Sequence, residues 1–280
     1  MSRWRVHGGR GVWVALLACF IAGAPAWAGE TWPKARLDTL HAFLRDATSD
    51  AGYLGGVSLI VHGGQVVDIG VYGYEDLGRH RPMRRDAIFR IYSMTKTVTS
   101  VALMMLVEEG KVSLDQPLSD FLPGFDTPRV MTGGSAEKPV LRDASRRVTL
   151  HDLLTHTSGY PAGLPGDRLA VAAMERIDPH AAGDLAGFAE RMSRVPLAAD
   201  PGVRFGYDGA SLELVARVVE VVAKKPFAEF LSERIFVPLG MRDTGFSVAP
   251  AERSRIVDLT RMGDDGRLAL DTSRSARHPG

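Results

Sequence analysis

Ser93 and Lys96 are the two residues of this sequence whose types and spacing point most directly to chemistry. They stand at the start of an apolar run that closes with Gly110, a pattern that predicts a helix ended by a glycine. Residues three positions apart are neighbours on a helix, so the hydroxyl and the amine should lie on one face. The spacing therefore predicts a nucleophile beside a base.

The base can work only if the amine of Lys96 is neutral. An ordinary ammonium group, with a pKa of about 10.4, does not accept a proton near pH 7. The apolar helix predicts a buried first turn, and burial together with the positive end of the helix dipole favours the neutral amine. The same helix end favours negative charge on Ser93 Oγ, and the Ser93 backbone N–H could donate to an oxyanion. The alternative is a serine helix cap followed by a solvated lysine.

A second Ser-x-x-Lys, formed by Ser135 and Lys138, lies between a Gly-Gly pair and Pro139. This composition is typical of a loop, which leaves no helix to align the hydroxyl with the amine. We therefore predict no site there.

Tyr207 lies between two recognisable elements. Asp200-Pro201-Gly202 is a turn signal, residues 203–205 favour a short extended piece, and residues 211–225 form an amphipathic helical pattern. A phenol with an ordinary pKa of about 10 could shuttle a proton if a nearby ammonium lowered that value. On position alone, a half-buried packing aromatic is the simpler interpretation.

Five segments of the sequence match a known family in that family's own order. They are residues 81–83 with 89–96, then 110–118, 153–159, 207–209 and 238–246. Through them the chain, from about Trp32 to Phe246, resembles the serine β-lactamase and penicillin-binding-protein superfamily. The resemblance is to the branch of class C β-lactamases, family VIII carboxylesterases and D-aminopeptidases.

The resemblance implies a hydrolase that works through an acyl-enzyme, without a metal or organic cofactor. It assigns Ser93 as nucleophile, Lys96 as its proton acceptor and Tyr207 as second general acid/base. The substrate implied is a small-molecule ester, amide or β-lactam. Family members usually carry Asn where this sequence has Gly209, and loss of that amide favours esters. The alternative is a catalytically inert binding or scaffold protein of the same fold.

The implied fold is mixed α/β (α+β), β-lactamase/transpeptidase-like, with an antiparallel sheet flanked by helices plus a helical lobe. Local patterns predict a helix over residues 32–47, a hairpin over 55–74, a loop over 127–145 and a last hairpin over 255–270.

Family members usually continue into further strands, one of which carries a Lys/His-x-Gly motif. His278-Pro279-Gly280 fits the bare pattern, but proline lacks the N–H that a strand ladder needs. We therefore expect residues 29–280 to form one serine hydrolase domain with two lobes, an incomplete sheet and missing C-terminal strands.

Other catalytic sites are less well supported by the sequence. No Gly-x-Ser-x-Gly elbow occurs, which excludes an α/β-hydrolase nucleophile turn. The run from His156 to Gly159 is best explained as a structured turn after a short helix capped by Thr149 and Asp152. The scattered histidines contain no HExxH pattern, so no zinc site is predicted.

The N-terminal residues 1–28 have the composition of a secretory signal: three arginines, an apolar stretch over 12–24, and Ala26-Trp27-Ala28. The expected location is secreted or periplasmic, with no stable membrane span after cleavage. Cys19, the single cysteine, offers the alternative of a lipid anchor. The full sequence has a net charge of +1, and loss of residues 1–28 with their three arginines would leave about −2, so nothing suggests a nucleic-acid partner.

Overall fold

The computed structural model describes residues 32–49 and 52–273. The expected signal peptide over residues 1–28, Cys19 and His278-Pro279-Gly280 lie outside the described residues.

The described chain is mixed α/β, as expected. In chain order its helices are α1 Lys34–Ala47, α2 Thr95–Glu108, α3 Leu150–Leu154, α4 Arg168–Ile177, α5 Leu185–Met192, α6 Ser211–Ala223 and α7 Phe227–Leu231. Its strands are β1 Gly55–His62, β2 Gln65–Gly73, β3 Arg129–Gly134, β4 Pro139–Asp143, β5 Thr260–Met262 and β6 Leu268–Leu270. The strands pair as three antiparallel hairpins, β1 with β2, β3 with β4 and β5 with β6.

Two compact units divide these elements. The first unit comprises described residues up to 89 together with 252–273, and the second comprises residues 90–251. Within residues 32–49 and 52–273, no helix combines the length and the apolar composition needed to cross a bilayer.

The first unit contains the predicted N-terminal helix, α1, and two hairpins. In β1–β2 the chain reverses at Gly63 and Gly64, whose φ angles of 56° and 76° suit a tight two-residue turn. The predicted last hairpin is β5–β6, with Gly266 at φ 74° in its turn. Both hairpin predictions and the helix prediction are confirmed, although β5 and β6 are shorter than residues 255–270.

The loop predicted over residues 127–145 is wrong, because the structure forms the hairpin β3–β4 there. Val130 and Met131 are buried, and the Met131 N–H donates to the Leu197 carbonyl at 2.9 Å. Leu197 belongs to a segment distant in sequence, so the local composition of residues 127–145 did not predict the strand β3. Ser135 and Lys138 occupy the hairpin turn, where no helix aligns them, as predicted.

The second unit has an apolar core built mainly by α2 and α6, with α3, α5 and α7 around them. Fully buried side chains include Leu103, Leu106, Leu150, Leu153, Leu214 and Leu231. Burying each such side chain contributes roughly 1.5–3 kcal/mol relative to leaving it exposed. The core therefore holds the start of α2 and the start of α6 in fixed positions.

Thr149 caps α3 as predicted. Its Oγ1 accepts from the Asp152 N–H, and the Asp152 carboxylate accepts from the Thr149 N–H, so the pair forms a capping box. Burial raises the pKa of Asp152, but hydrogen bonds from Arg146 and Thr149 outweigh it and leave that pKa below its ordinary value. This fixed helix leads straight into the turn that contains His156.

Candidate active site

Ser93 lies in a single 3₁₀ turn, Tyr92–Met94, that precedes α2 directly. Tyr92 has φ 42°, in the left-handed region that non-glycine residues seldom adopt. Such backbone strain costs of order 1–3 kcal/mol and is found most often at functional sites. The turn places the Ser93 side chain at the N-terminal end of the helix.

Lys96 follows in the first turn of α2. Its Nζ donates to Ser93 Oγ at 3.3 Å, as the spacing of the two residues predicts. A hydroxyl and an amine at this distance can exchange a proton.

The expectation that the first turn of α2 is buried is wrong. Ser93 is exposed, Met94 is 68% exposed and Lys96 is only half-buried. The buried residues of α2 begin at Thr99, while Val101 is 46% exposed. Apolar composition therefore predicted the helix but not which of its faces and turns is covered.

Tyr207 lies in the irregular segment 203–208, between the turn at Gly202 and the start of α6. Residues 203–205, where a short extended piece is predicted, form no strand. The Tyr207 ring centroid lies 5.3 Å from Lys96 Nζ. The pKa of Tyr207 is lowered mainly by a hydrogen bond with Ser93. The positive charge of Lys96 lowers it further. The structure thus brings all three residues predicted from sequence into one cluster.

His156 and Asp208 also belong to this cluster, and sequence reasoning assigned neither of them a role there. The His156 ring lies 4.7 Å from the Tyr207 ring, centroid to centroid, at an interplanar angle of 44°. His156 Nδ1 and Asp208 Oδ2 are 3.1 Å apart. The turn predicted after α3 is present, but its histidine contacts Asp208, 52 residues further along the chain. Segments 153–159 and 207–209 both belong to the family pattern, and this joint match was the sequence signal that could have indicated the contact between His156 and Asp208.

Ser93 and Lys96 line an open cavity of about 660 Å³. Much of its wall is apolar, formed by side chains of α5, α6 and α7 and by one residue beyond them: Leu185, Leu212, Phe227 and Phe246. Asp184, Glu213 and Glu220 contribute carboxylates. Among the described residues that line the cavity, Lys96 is the single cation.

Gly209 forms part of the same wall. A Cβ placed there would meet no atom within 4 Å, and Gly209 is not among the glycines with positive φ. The position therefore accepts an ordinary side chain, which would point into open space.

Across residues 32–49 and 52–273, no group of three or more His, Cys, Asp and Glu side chains converges as a metal site would require. The side chains of the cluster can transfer protons, and Ser93 can make a nucleophilic attack.

The chain is similar to known proteins in both sequence and fold. The sequence model of the family described as Beta-lactamase matches residues 40–278. Esterase EstB of Burkholderia gladioli is 34% identical over 226 residues, which are 78% of this chain and 53% of that protein. Lovastatin esterase of Penicillium rubens is 34% identical over 194 residues, 68% of this chain and 48% of that protein. The chain thus spans about half the length of these curated relatives.

The fold of this chain is also similar to that of solved structures. The unliganded structure of Simvastatin Synthase (LovD) from Aspergillus terreus matches with a TM-score of 0.70 at 26% identity, covering 87% of this chain and 62% of that one. The architecture is therefore β-lactamase/transpeptidase-like. With the family model matched over residues 40–278, the chain belongs to the β-lactamase family.

Proposed function

We propose that this protein is a serine hydrolase that forms an acyl-enzyme on Ser93. The observation that carries the proposal is the contact of Lys96 Nζ with Ser93 Oγ at 3.3 Å, beside a tyrosine whose pKa is lowered by that same serine. A solvated lysine after a serine cap would not explain why Tyr207 joins the pair.

In the proposed reaction, Lys96 in its neutral form takes the proton of Ser93 while Oγ attacks the substrate carbonyl carbon. The Ser93 backbone N–H, at the positive end of α2, donates to the oxyanion that develops. Tyr207 passes a proton to the departing alkoxide as the bond from carbon to the leaving oxygen breaks. Water, activated by the same groups, then hydrolyses the acyl-enzyme and releases the acid.

The substrate that fits best is an uncharged carboxylic ester. The largely apolar cavity favours an apolar acyl group. Lys96 is the single cation among the described lining residues, so the cavity offers little attraction to a substrate that carries its own carboxylate, as many β-lactams and peptides do. Two relatives of this chain are themselves named as esterases.

Tyr207→Phe tests the proposed acid/base role. We expect kcat for an alkyl ester such as ethyl butyrate, whose alkoxide must be protonated as it leaves, to fall by about 10²–10⁴, the usual contribution of a positioned acid/base group. Folding should be retained, because Tyr207 is 51% exposed and only its hydroxyl is removed. Tyr53→Phe, at a tyrosine that is 69% exposed in the first unit, serves as the control. An unchanged kcat in Tyr207→Phe would return Tyr207 to a packing role.

Gly209→Asn tests the preference for esters. The structure has room for the side chain, and a new amide on the cavity wall should help a β-lactam more than an ester. We expect the ratio of kcat/KM for nitrocefin to that for the ester to rise about tenfold, the effect of one added hydrogen bond to a charged group. Gly209→Ala supplies the Cβ without the amide. If Asn and Ala give the same ratio, Gly209 does not determine this preference.

We also propose that the protein is exported, with residues 1–28 as a signal peptide cut after Ala28 and a secreted or periplasmic product. The support is the basic, apolar and small-residue order of that segment. The mass of the N-terminal peptide of the exported protein tests this, since a lipid on Cys19 would show the anchored alternative.

A further inference from the structure

We propose that His156 is a positioning residue that holds Tyr207 against Ser93 and Lys96, acting largely through Asp208. The inference rests on the proposed acid/base role of Tyr207. It concerns a residue for which the sequence suggested only a place in a turn.

The segment that carries Tyr207 needs such support. Residues 203–208 belong to no helix or strand, so the hydrogen bonds of regular structure do not fix the tyrosine. At the start of the segment, Arg204 pairs with the buried carboxylate of Asp167. This contact lies three residues before Tyr207 and leaves the position of its ring open.

His156 contacts the chain on both sides of Tyr207. The His156 carbonyl accepts from the Gly206 N–H at 2.8 Å. Its Nδ1 lies 3.1 Å from Asp208 Oδ2. One residue therefore fixes the positions immediately before and immediately after the proposed acid/base.

Asp208 is a rigid partner for this contact. Its side chain is 2% exposed, and its carboxylate accepts from the Ala210 N–H at 2.9 Å, the Ser211 N–H at 2.6 Å and Ser211 Oγ at 2.8 Å. These bonds tie Asp208 to the start of α6, which is anchored in the core. The imidazole of His156, only 11% exposed, thus joins the turn after α3 to the start of α6.

The rings complete the arrangement. The Tyr207 ring contacts the imidazole at 4.7 Å, and Lys96 Nζ lies 5.3 Å from the centroid of the same ring. Phe205 meets the imidazole edge-on at 6.2 Å. Loss of His156 would free the Tyr207 ring to move away from Ser93 without removing any reacting atom.

The backbone of His156 determines which substitutions are informative. Its φ of 54° lies in the left-handed region, which Asn tolerates better than most residues. His156→Asn therefore keeps the backbone and an N–H donor for Asp208 but loses the ring. His156→Ala loses both the ring and the donor. Comparing the two variants separates the hydrogen bond from the ring contact.

The experiment is a double-mutant cycle on ester hydrolysis between His156→Ala and Tyr207→Phe. We expect His156→Ala to lower kcat by about 10²-fold, the effect of a misplaced catalytic group, with little change in KM. His156→Asn should recover most of that loss. In the Tyr207→Phe background, His156→Ala should change kcat less than about threefold, because no hydroxyl remains to be positioned.

Two controls accompany the cycle. His151→Ala removes an exposed histidine from α3 and should leave kcat unchanged. Thermal melting of every variant measures folding, and if His156→Ala does not fold, the cycle is run with His156→Asn and His156→Phe. In that case we expect kcat of His156→Phe, which lacks the N–H donor, to be much lower than kcat of His156→Asn.

Three results would overturn the inference: full kcat in His156→Ala, an equal loss with and without the Tyr207 hydroxyl, or no recovery in His156→Asn. Failure of the proposed function gives a different result, since Tyr207→Phe alone would then retain the wild-type rate.

Discussion

Ser93→Ala is expected to reduce ester hydrolysis to the uncatalysed background, a loss of about 10⁶-fold if the wild type is an efficient serine hydrolase. Without Oγ there is no atom to attack the carbonyl and to carry the acyl group. Because the Ser93 side chain is exposed, its removal should leave the melting temperature nearly unchanged. The measurement is steady-state hydrolysis of p-nitrophenyl butyrate together with thermal melting.

Ser135→Ala is the matched control, since Ser135 begins the second Ser-x-x-Lys and lies in the β3–β4 turn. Its rate should equal that of the wild type. Retention of most activity in Ser93→Ala, or its loss in Ser135→Ala, would contradict the assignment of the nucleophile.

Lys96→Arg is expected to lower turnover at pH 7 by about 10²–10⁴, although the positive charge is kept. A guanidinium group is not deprotonated in proteins and so cannot take the proton from Ser93. Lys96 is half-buried and its Nζ contacts Ser93 Oγ at 3.3 Å, so the substitution changes the base itself. The rate of covalent labelling by a fluorophosphonate should fall in parallel with turnover.

Lys138→Arg, in the turn of the β3–β4 hairpin, gives the same chemical change away from the site. Full labelling of Ser93 in Lys96→Arg at neutral pH would mean that another group, or water, accepts the serine proton.

The sequence predicted those parts of the fold that depend on neighbouring residues. The hairpin around Gly63 and Gly64, the capped helix after Thr149 and the amphipathic helix α6 each follow from a local pattern, and each is present. The strand β3 was missed because one of its partners is Leu197, more than sixty residues away.

The site was predicted in the same uneven way. Ser93 and Lys96 are neighbours on one turn, so their spacing was sufficient. Tyr207 required the family pattern, because its contact with Lys96 depends on how α2 and α6 pack. The contact between His156 and Asp208 joins two loops and left no periodic signal in the sequence. The exposure of the first turn of α2 likewise depends on which face the core covers, which composition does not show.

The most direct test of the central claim is the mass of a trapped acyl-enzyme. The protein is mixed with an activated ester such as p-nitrophenyl butyrate, quenched in acid within the first turnover and digested for peptide mass spectrometry. A single added acyl group on the peptide that contains Ser93, absent from Ser93→Ala, is the result we predict. A wild-type protein that hydrolyses the ester while its Ser93 peptide stays unmodified, or that carries the acyl group on another residue, would contradict it.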